Sequence, residues 1–371
     1  MKTAFHLPVV ESIANALGND CSRRSCLRSV AGAALLLLSP GSRAAQGSVS
    51  RALHVERLRA LLAHPQFDRK QTYRADVTIQ ILGVPLFRRR GVGGAVARLQ
   101  RAVSTKGDAV SISFLAGSNP DQAGGVNRFG YIEEIVVERN GAPLEAAYLG
   151  LMTASPEDDF KSAKTALGEA SKSQSFFKAI DGYLQGELSH STEAAFLAPG
   201  AYTWQNLPPA SNLLVQALAD TSTHTKDNRV ESRAEHDSST FLYAVSRAMR
   251  QRAPQHRQHY HYHGFEFDLD TVCQPDLATG KTFAASKLVT DAEKVLRVDG
   301  YSSQRRANRK TSFTVWVDRD SPNALPLRFE FRPKSFLKVA FEATGNVTDE
   351  TGQGRATPSA AHAMSSRKAV L

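Results

Sequence analysis

The chain has 371 residues, 42% of them apolar, and a formal net charge of +10. That length suits one large domain or two ordinary ones, and that apolar content excludes wholesale disorder. Of the three cysteines, Cys21 and Cys26 lie in the first segment, which leaves Cys273 alone and excludes a disulfide framework beyond it.

The N-terminal 44 residues carry the features of an export signal. Arg23, Arg24 and Arg28 form a basic region, and Val30 to Leu38 is an apolar run. A bilayer span needs about 20 apolar residues, so this run is too short for one and no transmembrane segment is expected in the mature chain. Ser42-Arg43-Ala44 places small residues where a signal peptidase cuts, which puts the cleavage after Ala44. The sequence Ser22-Arg23-Arg24-Ser25-Cys26-Leu27-Arg28 resembles the twin-arginine export signal, with Cys26 in place of the usual Phe and Arg28 in place of Lys. The Sec route is the alternative. Either route implies a periplasmic or secreted protein.

The first 44 residues hold five basic and two acidic residues, so a charge of +7 remains on the rest. Basic clusters stand at Arg88-Arg89-Arg90 and at Arg305-Arg306 with Arg309-Lys310. Nucleic acid would suit such clusters in a cytosolic protein. In an exported one, an anionic envelope surface is the more natural partner, and solvated loops are the other reading.

Past a polar stretch, Val55, Leu58, Leu61 and Leu62 fall on one helical face, which predicts a helix over 52–63. Branched residues then alternate from Thr72 to Phe87, and Gly91–Gly94 reads as a turn or bulge between strands. Residues 129–153 read as two strands joined at Asn140-Gly141, a strong hairpin signal. Ser155-Pro156-Glu157 marks a helix start. The apolar spacing from Phe160 to Leu184 predicts a mostly helical segment, followed by a proline-rich loop and a short helix at 212–220.

A second β region is expected over 229–343. It contains one helix in "SSTFLYAVSRAMRQ", capped by Asp237-Ser238. Its strands are placed at 259–272, 281–290, 292–300, 310–320, 325–333 and 336–343. The resulting partition is a signal at 1–44, a helix and β region at 45–154, a helical insertion and loop at 155–228, the second β region, and a disordered tail at 344–371.

The candidate chemistry lies in "HYHYHGFEFDLD", residues 259–270. Two histidines at i and i+2 on a strand can chelate one metal ion. His259, His261 and Glu266 match the centre of the cupin metal motif, but Ala253 and Cys273 stand where its flanking glycines belong. After His263 the next histidine is His362, in the expected tail, so the second half of that motif is absent. The default reading is a strand that runs into a core or a ligand cavity, with a metal site at His259, His261 and Glu266 as the alternative. Gly91-Val92-Gly93-Gly94-Ala95 lacks the strand-to-helix context of a dinucleotide loop. Glu133 and Glu134 are adjacent, so on a strand they face opposite ways and make no carboxylate pair.

Ser238, Ser239, Tyr243 and Arg247, followed by Trp316, Asp318, Asp320, Leu325 and Pro326, resemble the pattern of exported bacterial proteins grouped as domain of unknown function 3108. The resemblance covers about the last 110 residues before the tail. It implies a curved antiparallel sheet similar in architecture to the periplasmic lipoprotein carriers, and it carries over no catalytic residue. The expected fold is therefore mainly β (α+β), a curved antiparallel sheet or half-barrel with an inserted helical segment.

The function that follows is non-catalytic. It is the binding of a lipidic or amphipathic ligand, or of an envelope partner, with no cofactor and no nucleic acid. A metal-dependent enzyme using His259 and His261, and a structural interaction module, are the alternatives. In residues 312–317, Phe313, Val315 and Val317 share one face and Trp316 the other. An aromatic on that opposite face needs a cover or a ligand. Trp316 is thus expected to be buried under the helix of Phe241, Tyr243 and Val245 or under the 156–186 segment. Trp316 and Tyr243 are the candidate cavity residues.

Overall fold

Residues 129–153 are apolar on both faces of the strands they form, so that part of the sheet must be covered on both sides. The computed structural model describes residues 53–81, 84–153, 174–186, 188–219, 224–231, 239–305, 310–321, 325–334 and 337–349. The expected signal segment and the helix start at Ser155-Pro156 lie outside these residues.

Eight strands form a first meander: β1 (Phe67–Ile81), β2 (Val84–Ser104), β3 (Gly107–Ser118), β4 (Phe129–Arg139), β5 (Ala142–Thr153), β6 (Gln174–Gln185), β7 (Leu188–Pro199) and β8 (His224–Glu231). Six form a second: β9 (Gln255–Tyr262), β10 (Phe265–Pro275), β11 (Val295–Gln304), β12 (Lys310–Asp318), β13 (Arg328–Lys334) and β14 (Leu337–Asp349). Antiparallel pairing of β14 with β1 fuses the two into one 14-stranded sheet whose edges are β8 and β9. The expected class holds: the fold is a curved antiparallel sheet with helices inserted.

The curvature follows from contacts between distant strands. Phe114 of β3 and Phe329 of β13 lie 5.0 Å apart. Four strand spacings separate them in the sheet, about 19 Å if it were flat. Tyr148 of β5 stacks on Tyr262 of β9 at 4.8 Å across ten spacings, about 48 Å if flat. The sheet is therefore rolled, with its β9 edge tucked against the inner face of β5. Gly182 sits opposite Tyr148 in the β5–β6 register. A Cβ there would meet the Tyr148 ring at 1.9 Å, so only glycine lets that ring lie flat on the sheet.

Among the described residues, four helices cover the sheet. On the outer face, α1 (His54–Arg59, continued by a 3-10 turn to Leu62) and α2 (Ala210–Ala219) pack Val55, Leu58, Leu213 and Leu214 against Leu149, Leu151 and Phe177. The inner face holds α3 (Phe241–Gln251), with Tyr243 and Ala244 in the main core. Farther along the outer face, α4 (Leu277–Ala285) buries Phe283 against Val295, Trp316 and Leu327.

Several expectations need correction. Residues 174–185 are strand β6, not helix. Phe176, Ile180 and Leu184 recur every four residues, which satisfies a helical face and a strand face alike. Phe177, Ala179 and Tyr183 fill the other face under the outer helices. Strand β7 was not anticipated at all. Residues 277–285 are helix α4, although 281–290 reads as a strand. Asp276 caps this helix by accepting from the Thr279 amide at 3.0 Å. Strand β14 extends to Asp349, so residues 344–349 of the expected tail are strand, and the rest of it lies outside the described residues.

The stretch 259–272 is a hairpin rather than one strand. His263 (φ 52°) and Gly264 (φ 75°) form its two-residue turn. Both residues have left-handed backbone, as such a turn requires. The Asn140-Gly141 hairpin and the bulge near Gly91 stand as expected. Gly94 and Gly117 face each other in register and make a flat floor, where a Cβ on either would collide with Trp204.

Trp316 is buried as expected, at 7% exposure, but its cover is α4 rather than α3 or the 156–186 segment. Its indole N–H donates to Asp276 at 2.9 Å, so the carboxylate that caps α4 also fixes the ring. Truncation of Trp316 to Ala is expected to cost about 3–5 kcal/mol in urea unfolding. Trp316→Phe should keep most of the packing and lose about 1 kcal/mol with the hydrogen bond. Equal stability of Trp316→Ala and wild type would show that α4 does not cover the ring.

Candidate functional site

Helix α3 stands inside the rolled sheet, and its position depends on carboxylates from β4. The local cap expected at Asp237-Ser238 lies outside the described residues. Thr240 at the N-cap makes no side-chain cap bond of its own and donates its hydroxyl to Glu134. The same Glu134 carboxylate accepts from the Tyr243 amide at 3.0 Å. One turn on, the Tyr243 hydroxyl donates to Glu138. Gln258 of β9 donates to the Ala244 carbonyl from the other side.

The outer face repeats the device. Asp181 of β6 accepts from the His54 amide at 3.3 Å at the start of α1. Glu133, facing outward as the alternation requires, pairs with Arg59. Glu145 pairs with Arg57 and accepts from Tyr183. Thus Glu133 and Glu134 fasten helices on opposite faces of the same strand. Burial pushes Glu134 up to about 7, with hydrogen bonds from Leu242, Thr240 and Tyr243 opposing the rise. Burial likewise pushes Asp181 up to about 7, against the His54 and Val55 amides.

Between α3 and the sheet lies a partly open cavity of about 140 Å³. Phe241, Val245 and Met249 of α3 form one wall. Leu99, Ile112 and Phe114 of β2 and β3, with Phe313, Val315 and Phe329 of β12 and β13, form the others. The lining is almost wholly apolar. A cavity of about 150 Å³ with such walls stays dry and takes benzene.

The residues singled out in the sequence fall elsewhere. Tyr243 is buried on the side of α3 that meets Glu138 and does not line the cavity, and Trp316 is on the outer face. Trp316 instead lines a separate, polar groove of about 410 Å³ with Arg297, Thr314 and Arg328. The lining residues Phe313 and Val315 were legible as an inward face, but nothing in the sequence said that a helix would stand opposite them.

The hairpin turn sets the histidine face. His259 lies opposite Asp268 and His261 opposite Glu266. Phe265, Phe267 and Leu269, which alternation along one unbroken strand would put on the histidine face, instead share the face of Tyr260 and Tyr262. His259 Nδ1 bonds Asp268, and the Arg305 guanidinium donates to Asp268 at 2.8 Å and lies 3.7 Å from Glu266. A side-chain cation thus occupies the ground between these groups. Among the described residues, no three His, Cys, Asp or Glu side chains converge in a metal-holding arrangement. Arg88, Arg89 and Arg90 are exposed beside Leu86 and Phe87, themselves 62% and 55% exposed, and Arg88 pairs with Asp76 at 2.8 Å. Arg306 and Arg309 lie outside the described residues. No described helix is long and apolar enough to cross a membrane.

No protein-family model matches the chain, and no curated protein matches it. Among solved structures it is similar to a β-barrel-like protein of domain of unknown function DUF1849 from Brucella abortus. The identity is 7%, the coverage 77% of this chain and 99% of the other, and the TM-score 0.34. A likeness that low carries no functional argument.

The raised carboxylates give stability a defined pH dependence. Glu134 has an ordinary value of 4.5 and lies near 7 when folded. Between those values the folded chain keeps a proton that the unfolded chain has released. The unfolded state then binds fewer protons, so stability falls as pH rises through this window. The full loss for Glu134 is about 3 kcal/mol. Glu134→Gln should remove that part of the slope in urea unfolding measured from pH 5 to pH 8. A slope identical to wild type would mean that Glu134 is already ionised in the folded protein at pH 5.

Proposed function

We propose that this is an exported, non-catalytic protein that binds a lipidic or amphipathic ligand in the cavity between α3 and the concave face of the sheet. The observation that carries the proposal is the cavity itself, about 140 Å³ in volume and nearly uniformly apolar in its lining, under an inserted helix. A well-packed core closes on itself, because an unfilled volume of this size loses dispersion contacts on every side. Here the large side chains of Phe114, Phe241, Phe313 and Phe329 surround the space instead of filling it. Largely pre-formed apolar pockets with few polar groups are the usual form of small-molecule sites. Export places such a protein where acyl chains must be shielded from water, and the features of residues 1–44 support that location.

Val245 stands on the cavity wall of α3 and is only partly buried. Val245→Trp should fill the space. The measurement is isothermal titration calorimetry with toluene, an apolar probe of the size the cavity admits. Wild type should bind toluene, and Val245→Trp should bind it at least tenfold more weakly while unfolding within a few degrees of wild type. Undiminished toluene binding by a folded Val245→Trp would sink the proposal.

A further inference from the structure

The apolar cavity ends in arginines. Leu99 lines it, and Arg101 follows two residues later on the same face of β2, about 6.6 Å along the strand. Arg69 of β1 sits opposite Leu99 in register. On α3, Met249 lines the cavity and Arg250 follows it. A polar recess of about 10 Å³ shares Leu99, Ser246 and Met249 with the cavity and adds Arg250, Asp318 and Ser321. Arg69 reaches this recess by donating to the Ser321 hydroxyl at 3.3 Å.

These arginines are incompletely satisfied. Nε of Arg69, Nε and Nη2 of Arg101 and Nε of Arg250 are buried with no hydrogen-bond acceptor among the described residues. Buried guanidinium N–H groups without acceptors are costly, and each calls for an explanation. Glu138 lies 3.8 Å from Arg250 but is also engaged by the Tyr243 hydroxyl. Burial, and next the charge of Arg250, lower the pKa of Arg101 below that of an ordinary arginine, against the attraction of Glu138 and Asp108. Against these three guanidinium groups stand Glu138, Asp108 and Asp318, and the donors named above still lack acceptors where the hydrocarbon wall ends.

We propose that Arg69, Arg101 and Arg250 receive the carboxylate head of a single-chain amphiphile whose tail occupies the cavity. This rests on the cavity being a ligand site and names the class of ligand. The recess has room for about one water-sized group, which suits a carboxylate oxygen and is too small for a glycerophosphate. Guanidinium groups recognise carboxylates through paired N–H donors, and such charge-assisted bonds are about twice as strong as neutral ones. The cavity holds about six carbon atoms, the size of benzene, so a tail of medium length reaches from the arginines to its far wall.

The test compares sodium octanoate with 1-octanol, which share a tail length and differ in the head. Each is titrated at pH 8 into the full mature chain by isothermal calorimetry. Octanoate should bind at least tenfold more tightly than octanol. In Arg101→Met that ratio should collapse to about one, and in Arg101→Lys part of it should return. The wild-type comparison needs no variant, so it stands even if Arg101→Met fails to fold. Octanol binding as tightly as octanoate would overturn this inference and leave the cavity reading intact. If neither binds, the inference and the cavity reading both fall.

Discussion

A single carboxylate, Glu134 on strand β4, meets the start of a helix more than a hundred residues away. The first amides of any helix lack partners within it, and inside a rolled sheet water does not reach them. Glu134 supplies an acceptor for the Tyr243 amide and the Thr240 hydroxyl. Removal of that acceptor would leave buried donors, at a cost of about 1–3 kcal/mol each. Helix α3 therefore has one favourable seat, and the cavity exists because of where that seat is. With α3 elsewhere, Phe241 and Met249 would no longer stand opposite Phe114 and Phe329.

The same chemistry serves the outer surface, where Asp181 receives the amide of His54 and Glu133 and Glu145 hold Arg59 and Arg57. The strands in between are apolar on both faces for this reason. Outer side chains such as Leu149 and Phe177 meet α1 and α2, and inner ones such as Ile112 and Ile180 face the core around α3. Rolling requires close approach at a few points. Gly182 permits the Tyr148 ring to lie on the sheet beneath Tyr262. The Tyr148 hydroxyl then accepts from the His263 amide at 2.8 Å, which ties the β9–β10 turn to β5. Closure of the roll is thus made by side chains and not by a hydrogen-bonded seam between β8 and β9.

The fold class was legible because β1 to β5 and β11 to β14 carry branched residues, hairpin turns and, in part, alternation. Strand β6 was not, because its two covered faces erase the alternation and leave a spacing of four that fits helix and strand equally. Helix α4 was missed because its cap, Asp276, precedes a stretch that includes Thr279, Gly280 and Thr282, none a strong helix former. The histidine hairpin was read as one strand because His263-Gly264 is a weaker turn signal than the Asn-Gly or Asp-Gly pair that marks such a turn. That choice put the phenylalanines on the wrong face. The site was less legible than the fold. Its anchors are Glu134 and Glu138, and local sequence reasoning looks for a cap within a few residues of the helix. Burial of Trp316 was foreseen from its neighbours, while the identity of its cover depended on a helix not anticipated.

The central claim is that α3 and the concave face enclose an apolar space large enough for a ligand. Xenon binds such spaces without needing polar partners. The direct measurement is a crystal structure of the protein under xenon pressure. The account predicts xenon density bounded by Leu99, Val245 and Phe329. A structure with α3 packed flush against β2, β3, β12 and β13, and no xenon between them, would contradict it.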